Sequence, residues 1–103
     1  MGKNLSSGES IISRDLVADI CERNDIAYLG LFGSFARGEA TETSDVDLLV
    51  RFARPKGLLD LVRVENELAE RLGRKVDLVT INAVSPYLRE RIFSEVRAVY
   101  EES

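Results

Sequence analysis

Three aspartates and one glycine–serine turn carry most of the chemistry that this 103-residue sequence offers. Asp45 and Asp47 open an apolar run at residues 45–52 (DVDLLVRF), and Asp77 lies inside a second at residues 75–80 (KVDLVT). Gly33 and Ser34 follow a third, residues 26–32 (IAYLGLF). Side chains alternate faces along a strand, so Asp45 and Asp47 point one way and Val46 and Leu48 the other. Their Cα atoms then stand roughly 6.6 Å apart, at about 3.3 Å per residue. Carboxylates at that spacing suit two cations about 3.5–4 Å apart, as in two-metal phosphoryl chemistry. Asp77 is flanked by Val76 and Leu78 in the same alternation, and it joins the pair if its strand lies beside theirs. Three converging acids repel and are driven toward protonation unless a metal, or water at an exposed site, relieves them.

Other chemistries are excluded by composition. The chain has no histidine, which removes Ser-His-Asp and Cys-His systems, imidazole bases and His-based zinc sites. A single cysteine, Cys21, forms no internal disulfide and no cysteine zinc cluster; its place on an apolar stripe reads as packing rather than as a nucleophile. The remaining donors are hard oxygens, which suit Mg²⁺ or Mn²⁺. A net charge of −4 argues against a broad grip on nucleic acid. The acids concentrate in the half that holds the motif: residues 1–50 contain four Lys/Arg against nine Asp/Glu, and 51–103 contain ten against nine. Asp15, Asp19 and Glu22 read as a solvated helix face. No apolar run approaches the roughly 20 residues of a membrane span, and the N-terminus has no apolar signal core, so a cytoplasmic protein is expected.

Gly33-Ser34 ends one strand and precedes a helix start. Glycine there lets the backbone approach a phosphate, helix N-terminal amides favour anions, and Ser34 Oγ can add a hydrogen bond. No G-K-[ST] follows, so this is not a P-loop. Arg37 has two readings that stay open: a phosphate ligand, or a brace of the loop through an acid such as Asp45 or Glu39. Each aspartate also has a plainer reading. Asp45 is a turn residue after Ser44, Asp47 a solvent-facing strand residue, and Asp77 a partner of Lys75 or Arg74.

The elements that position these residues follow from periodicity. Residues 1–9 read as a flexible leader, and residues 10–103 as a single domain. A helix starts after a Ser10 N-cap, with Ile12, Leu16 and Ile20 on its apolar stripe flanked by Ile11, Val17 and Cys21, and ends at Asn24-Asp25. After the strand 26–32 a short helix begins at Phe35 and breaks at Gly38, and residues 39–44 form a loop. The strand 45–52 leads through an Arg54-Pro55-Lys56-Gly57 turn into a helix over 58–72. Its predicted stripe is Leu58, Leu61, Val62, Leu68, Ala69 and Leu72, and Gly73 is its left-handed stop. After the strand 75–80, Ser85-Pro86 caps a last helix that runs to about Tyr100 on Leu88, Ile92, Val96 and Val99. The alternation implies a small α/β domain with a mixed or parallel sheet of about three strands and helices packed on it.

Gly33-Ser34-Phe35-Ala36-Arg37-Gly38, followed by Ser44-Asp45-Val46-Asp47-Leu48, resembles the two-part signature of the polymerase β-like nucleotidyltransferases. Within that superfamily the chain is similar to the minimal nucleotidyltransferases. The resemblance implies a polymerase β-like nucleotidyltransferase domain that transfers AMP from ATP to a hydroxyl. It implies Asp45, Asp47 and Asp77 as catalytic metal ligands for Mg²⁺ (two ions, with Mn²⁺ as substitute), and Asp77 as base. It implies Gly33, Ser34 and Arg37 as nucleotide-binding. It also implies a HEPN-domain toxin encoded nearby as partner, neutralised as by an antitoxin through AMP transfer, typically onto tyrosine, in a hetero-oligomer without nucleic acid or membrane. Masking of the partner by binding alone, and transfer to a small molecule, are the competing expectations. Little chain follows the third strand, so a partner would complete the acceptor side. Tyr87, Phe93 and Tyr100 are candidates for that contact, with ordinary core packing as their plainer role.

Overall fold

A computed structural model describes residues 12–102. The expected leader and the Ser10 cap lie outside that range. The first helix, α1, spans Arg14–Arg23 and takes Ser13 as its N-cap, whose Oγ accepts the Leu16 N–H at 3.4 Å. A serine ahead of the first turn is what a helix needs to satisfy an otherwise orphaned amide. The helix stops at Asn24, and Asp25 adopts φ 58°, a left-handed position that a short polar side chain tolerates. Lys56 Nζ holds the Asp25 carboxylate at 2.9 Å, keeping it below the usual carboxylate range.

Four strands form one sheet: β1 (Ile26–Phe32), β2 (Val46–Phe52), β3 (Val76–Thr80) and β4 (Arg97–Glu101), in the order β3-β2-β1-β4. β1 runs antiparallel to β2 and to β4, while β2 and β3 are parallel. A mixed sheet was expected, with one strand fewer. The difference lies at the C-terminus. The last helix, α4, covers only Pro86–Glu95, and the chain then turns into β4. Val96 and Val99 are spaced like a helical stripe, but Val96 is the extended residue that ends α4 and Val99 lies in β4, where a register shift between Leu29 and Gly30 marks a bulge. β-branched residues favour that pleated setting.

The core lies on one sheet face. Leu29, Leu31, Val46, Leu48, Val50, Val76 and Leu78 are buried there against Val17, Ile20 and Cys21 of α1 and Val64 and Leu68 of α3 (Leu58–Leu72). Burial pushes the Cys21 thiol up to about 12, so it acts as packing. Arg71 of α3 grips Asp19 with two nitrogens, at 2.8 and 3.0 Å, and Arg23 reaches Glu67 at 2.6 Å, which braces α1 against α3. Asp19 is thus a paired residue on that acidic face.

Of the predicted α3 stripe, Leu61, Leu68, Ala69 and Leu72 pack on the core, and Leu58 and Val62 do not. Val64 faces inward, whereas Leu58 is 74% exposed and Val62 is 42% exposed. Leu61, between those two in sequence, packs against the core, so Leu58 and Val62 lie off the buried side of the helix. Gly73 ends α3 in the left-handed conformation, as its position implies. Glu65 turns down to accept the Leu78 N–H of the edge strand at 2.8 Å, which blunts an otherwise open edge. Among the described residues, no helix is long and apolar enough to cross a membrane.

Tyr100 tests the corrected C-terminus. It is 5% exposed, lies in the core cluster, and carries the Arg14 guanidinium 5.0 Å from its ring centre. Tyr100→Ala is expected to cost about 3 kcal/mol in urea unfolding, in the range for loss of a buried aromatic. A loss below about 1 kcal/mol would remove β4 from the cooperative core.

Candidate active site

The second sheet face carries the acids. In the parallel pairing Val46 faces Val76, Asp47 faces Asp77 and Leu48 faces Leu78, so the two aspartates lie side by side on the face opposite the core. Adjacent strands stand about 4.8 Å apart. Asp45 sits one residue before β2, exposed, and Asp77 is exposed on the edge strand, while Asp47 is half-buried. Burial raises the Asp47 carboxyl above its ordinary value of 3.8, and the charges of Asp77 and Asp45 raise it further. Arg37 opposes this and Glu95 adds to it.

Across β1, Phe32 pairs with Asp47 and leads into Gly33. Gly33 has φ 77° and ψ −154°, a conformation essentially restricted to glycine. A Cβ there would run into the Asp47 carboxylate. The missing side chain is therefore what lets the turn lie against Asp47. Helix α2, Ser34–Arg37, is a single turn closed by Gly38 in the left-handed conformation. One turn supplies little macrodipole, so attraction for an anion rests on the Gly33 N–H and the Arg37 guanidinium. Both are engaged. Glu95, the last residue of α4, accepts the Gly33 N–H at 2.8 Å and pairs with Arg37 Nη1 at 3.2 and 3.3 Å. Arg37 Nε also donates to Glu39 at 3.0 Å. Of its two predicted roles, Arg37 fills the brace in this arrangement, through Glu39 and Glu95.

Gly33, Ser34, Arg37 and Asp47 line one cavity of about 290 Å³, walled by Phe32 and by Leu88, Arg91, Ile92 and Glu95 of α4. Asp45 and Asp77 stand outside its lining, linked to it through Asp47. A larger cleft of about 470 Å³ lies at the far end of β2 between Arg51, Arg54, Lys56 and Asn82. No carboxylate is among its lining residues.

Arg74 does not pair with Asp77. Its Nη1 donates to the carbonyls of Thr41, Glu42 and Ser44 at 3.3, 3.2 and 3.0 Å, and its guanidinium lies 5.0 Å from the Phe35 ring centre. With Val46 N–H donating to Lys75 O at 2.9 Å, this cation fastens the loop that delivers Asp45 and links it to α2. No local pattern signals Arg74 or Glu95 in the sequence, since each acts on a segment 30 or more residues away.

Among the described residues, no group of three or more acids or cysteines is gathered so as to hold a metal ion by itself. The donor set nevertheless fits Mg²⁺ or Mn²⁺. All its atoms are carboxylate oxygens, Asp47 carries the cost of burial and of the like charges of Asp77 and Asp45, and Mg²⁺ characteristically takes one or two carboxylates plus substrate phosphates rather than a complete protein cage.

Two expectations follow. Because the native state holds the Asp47 proton more tightly than the unfolded chain, stability of the metal-free protein falls as pH rises from 3.8 through the raised native value. Above that window the penalty is complete. Asp47→Asn should therefore raise Tm in EDTA, and Mg²⁺ should stabilise the wild type but not the variant; a lowered Tm in EDTA would contradict this. Gly33→Ala forces a strained backbone, at about 1–3 kcal/mol, and displaces Asp47. Chemical denaturation should show that loss together with lost Mg²⁺ stabilisation, and an unaltered melt would show that the turn tolerates a side chain.

The nucleotidyltransferase domain family matches residues 13–99. A protein of Methanocaldococcus jannaschii, named as a candidate protein adenylyltransferase, is 46% identical over 79 residues, covering 77% of this chain and 85% of that one. The protein adenylyltransferase MntA of Thermococcus cleftensis is 38% identical over 78 residues, covering 76% and 79%. In fold, the chain is similar to one from a crystal structure of a toxin–antitoxin with AMP-PNP, with TM-score 0.76, 21% identity, and 89% and 76% of the two chains covered. The chain belongs to the nucleotidyltransferase domain family and is a nucleotidyltransferase.

Proposed function

We propose that the chain transfers AMP from ATP to a hydroxyl, a tyrosine above all, of a HEPN-domain partner protein and so acts as that partner's antitoxin. The observation that carries this reading is the register that sets Asp47 beside Asp77, with the Gly33-Ser34 turn closing on Asp47 from the neighbouring strand. Relatives named as protein adenylyltransferases, and a toxin–antitoxin of the same fold with AMP-PNP, support it.

In this reading Asp45, Asp47 and Asp77 hold the divalent ions, which when bound offset the charge of carboxylates and triphosphate. Gly33 N–H and Ser34 Oγ bind phosphate oxygens, and Arg37 adds a charged donor once it leaves its carboxylate partners. Asp77, exposed on the edge strand, takes the proton of the acceptor hydroxyl. The acceptor oxygen bonds to the α-phosphorus, the bond from that phosphorus to its bridging oxygen breaks, and pyrophosphate leaves.

A second role, masking the partner by contact, is favoured by the α4 surface. Tyr87 is 94% exposed, and Leu88 and Phe93 are about half exposed, at 49% and 45%, beside the cavity. Core packing, their plainer reading, applies to Tyr100 and not to Tyr87 or Phe93. Catalysis and contact are compatible, and the intact mass of the partner separates them. Incubated with this chain, ATP and Mg²⁺, the partner should gain one or more AMP units, and none with Asp45→Ala/Asp47→Ala. A stable complex with no mass gain would leave masking, or another acceptor, in place of protein adenylylation.

A further inference from the structure

Glu95 is a carboxylate in an unusual place. It accepts from the backbone amide of Gly33, and both its oxygens accept from Arg37 Nη1, the two donors that give the turn its preference for an anion. Its side chain is only 17% exposed. A phosphate oxygen and a carboxylate oxygen make the same demands on an N–H donor and a guanidinium. Both cannot use one amide proton at once.

The element that carries Glu95 is weakly fastened. No residue of α4 is buried. Arg89 and Ser94 bond only to the helix or to its own cap segment, and among the described residues Glu95 supplies the hydrogen bonds that tie α4 to another element. Such an element moves at small cost. Glu39, which also pairs with Arg37, is 65% exposed and touches Arg37 Nε only, so it does not fill the seat at Gly33.

We propose that Glu95 is a built-in competitor for the triphosphate: its carboxylate occupies the anion seat made by Gly33 N–H and Arg37, and a phosphate group of the nucleotide enters by displacing it. The proposal rests on the reading of Gly33 and Ser34 as the triphosphate turn. Displacement also releases Arg37 from brace to ligand, so the two roles of that residue belong to two states of one site.

The test is calorimetric titration of the full chain with α,β-methylene-ATP and Mg²⁺, for wild type, Glu95→Gln and Glu39→Gln. Glu95→Gln preserves shape and removes the charge. It should bind about tenfold tighter, equivalent to about 1.4 kcal/mol, and Glu39→Gln should stay within about twofold of wild type. Equal or weaker binding by Glu95→Gln overturns the competition and leaves Glu95 as a brace, with the triphosphate reading intact. If folded wild type and variant both fail to bind, the triphosphate reading falls and takes this proposal with it. Carboxyl and amide NMR of the wild type gives the answer without a variant. Saturating analogue should shift the Gly33 amide and return the Glu95 carboxyl to a free-carboxylate position, and a Glu95 carboxyl unmoved at saturation overturns the proposal.

Discussion

The parallel register of β2 on β3 is the constraint on which the site depends. It sets Asp47 against Asp77, and the same register seats Val46, Leu48, Val76 and Leu78 in the core. A slip by one residue would reverse every side chain of β2 and drive those aliphatics into water. Each buried aliphatic side chain contributes about 1.5–3 kcal/mol. Two like charges 4 Å apart repel by about 1–4 kcal/mol between bulk water and a surface-like dielectric. Burial therefore prevails over repulsion, and the hydrophobic face holds the acids where their own electrostatics oppose them. Glycine at position 33 extends the arrangement to a third strand by letting the turn rest on Asp47.

Much of this is legible in sequence because it is local. Alternation predicts which face each aspartate takes, and Gly73 and Ser85 announce a helix end and a helix start that the structure places there. Three features escape for physical reasons. The spacing of Val96 and Val99 continues a helical stripe, and only the pairing of the segment from Arg97 with β1 reveals a strand there. Leu58 and Val62 satisfy the periodicity of α3 but stay exposed, because Val64, outside the predicted stripe, faces the core, and periodicity alone cannot say which side of a broad apolar stripe is covered. Arg74 and Glu95 act at long range, one on a loop and one on a turn, and a lone charged residue in a polar stretch carries no signature of a distant carbonyl or amide.

The contacts around Gly33 show why a nucleotidyltransferase of this size places weak packing beside strong electrostatics. Asp47 is destabilised by burial and by its neighbours, Gly33 takes a backbone conformation few residues accept, and α4 contributes no buried side chain. None of these helps the fold, and the core on the other sheet face must sustain them all. Their arrangement is nevertheless coherent. In the proposed function the clustered carboxylates lie where cations would bind, and the Gly33 and Arg37 donors lie one strand away where phosphate would bind. The helix between them is held by a carboxylate that answers those same donors. A helix fastened by apolar burial would stay shut against a charged ligand. One fastened by an ion pair meets, in a triphosphate, a stronger ligand for the contact that holds it.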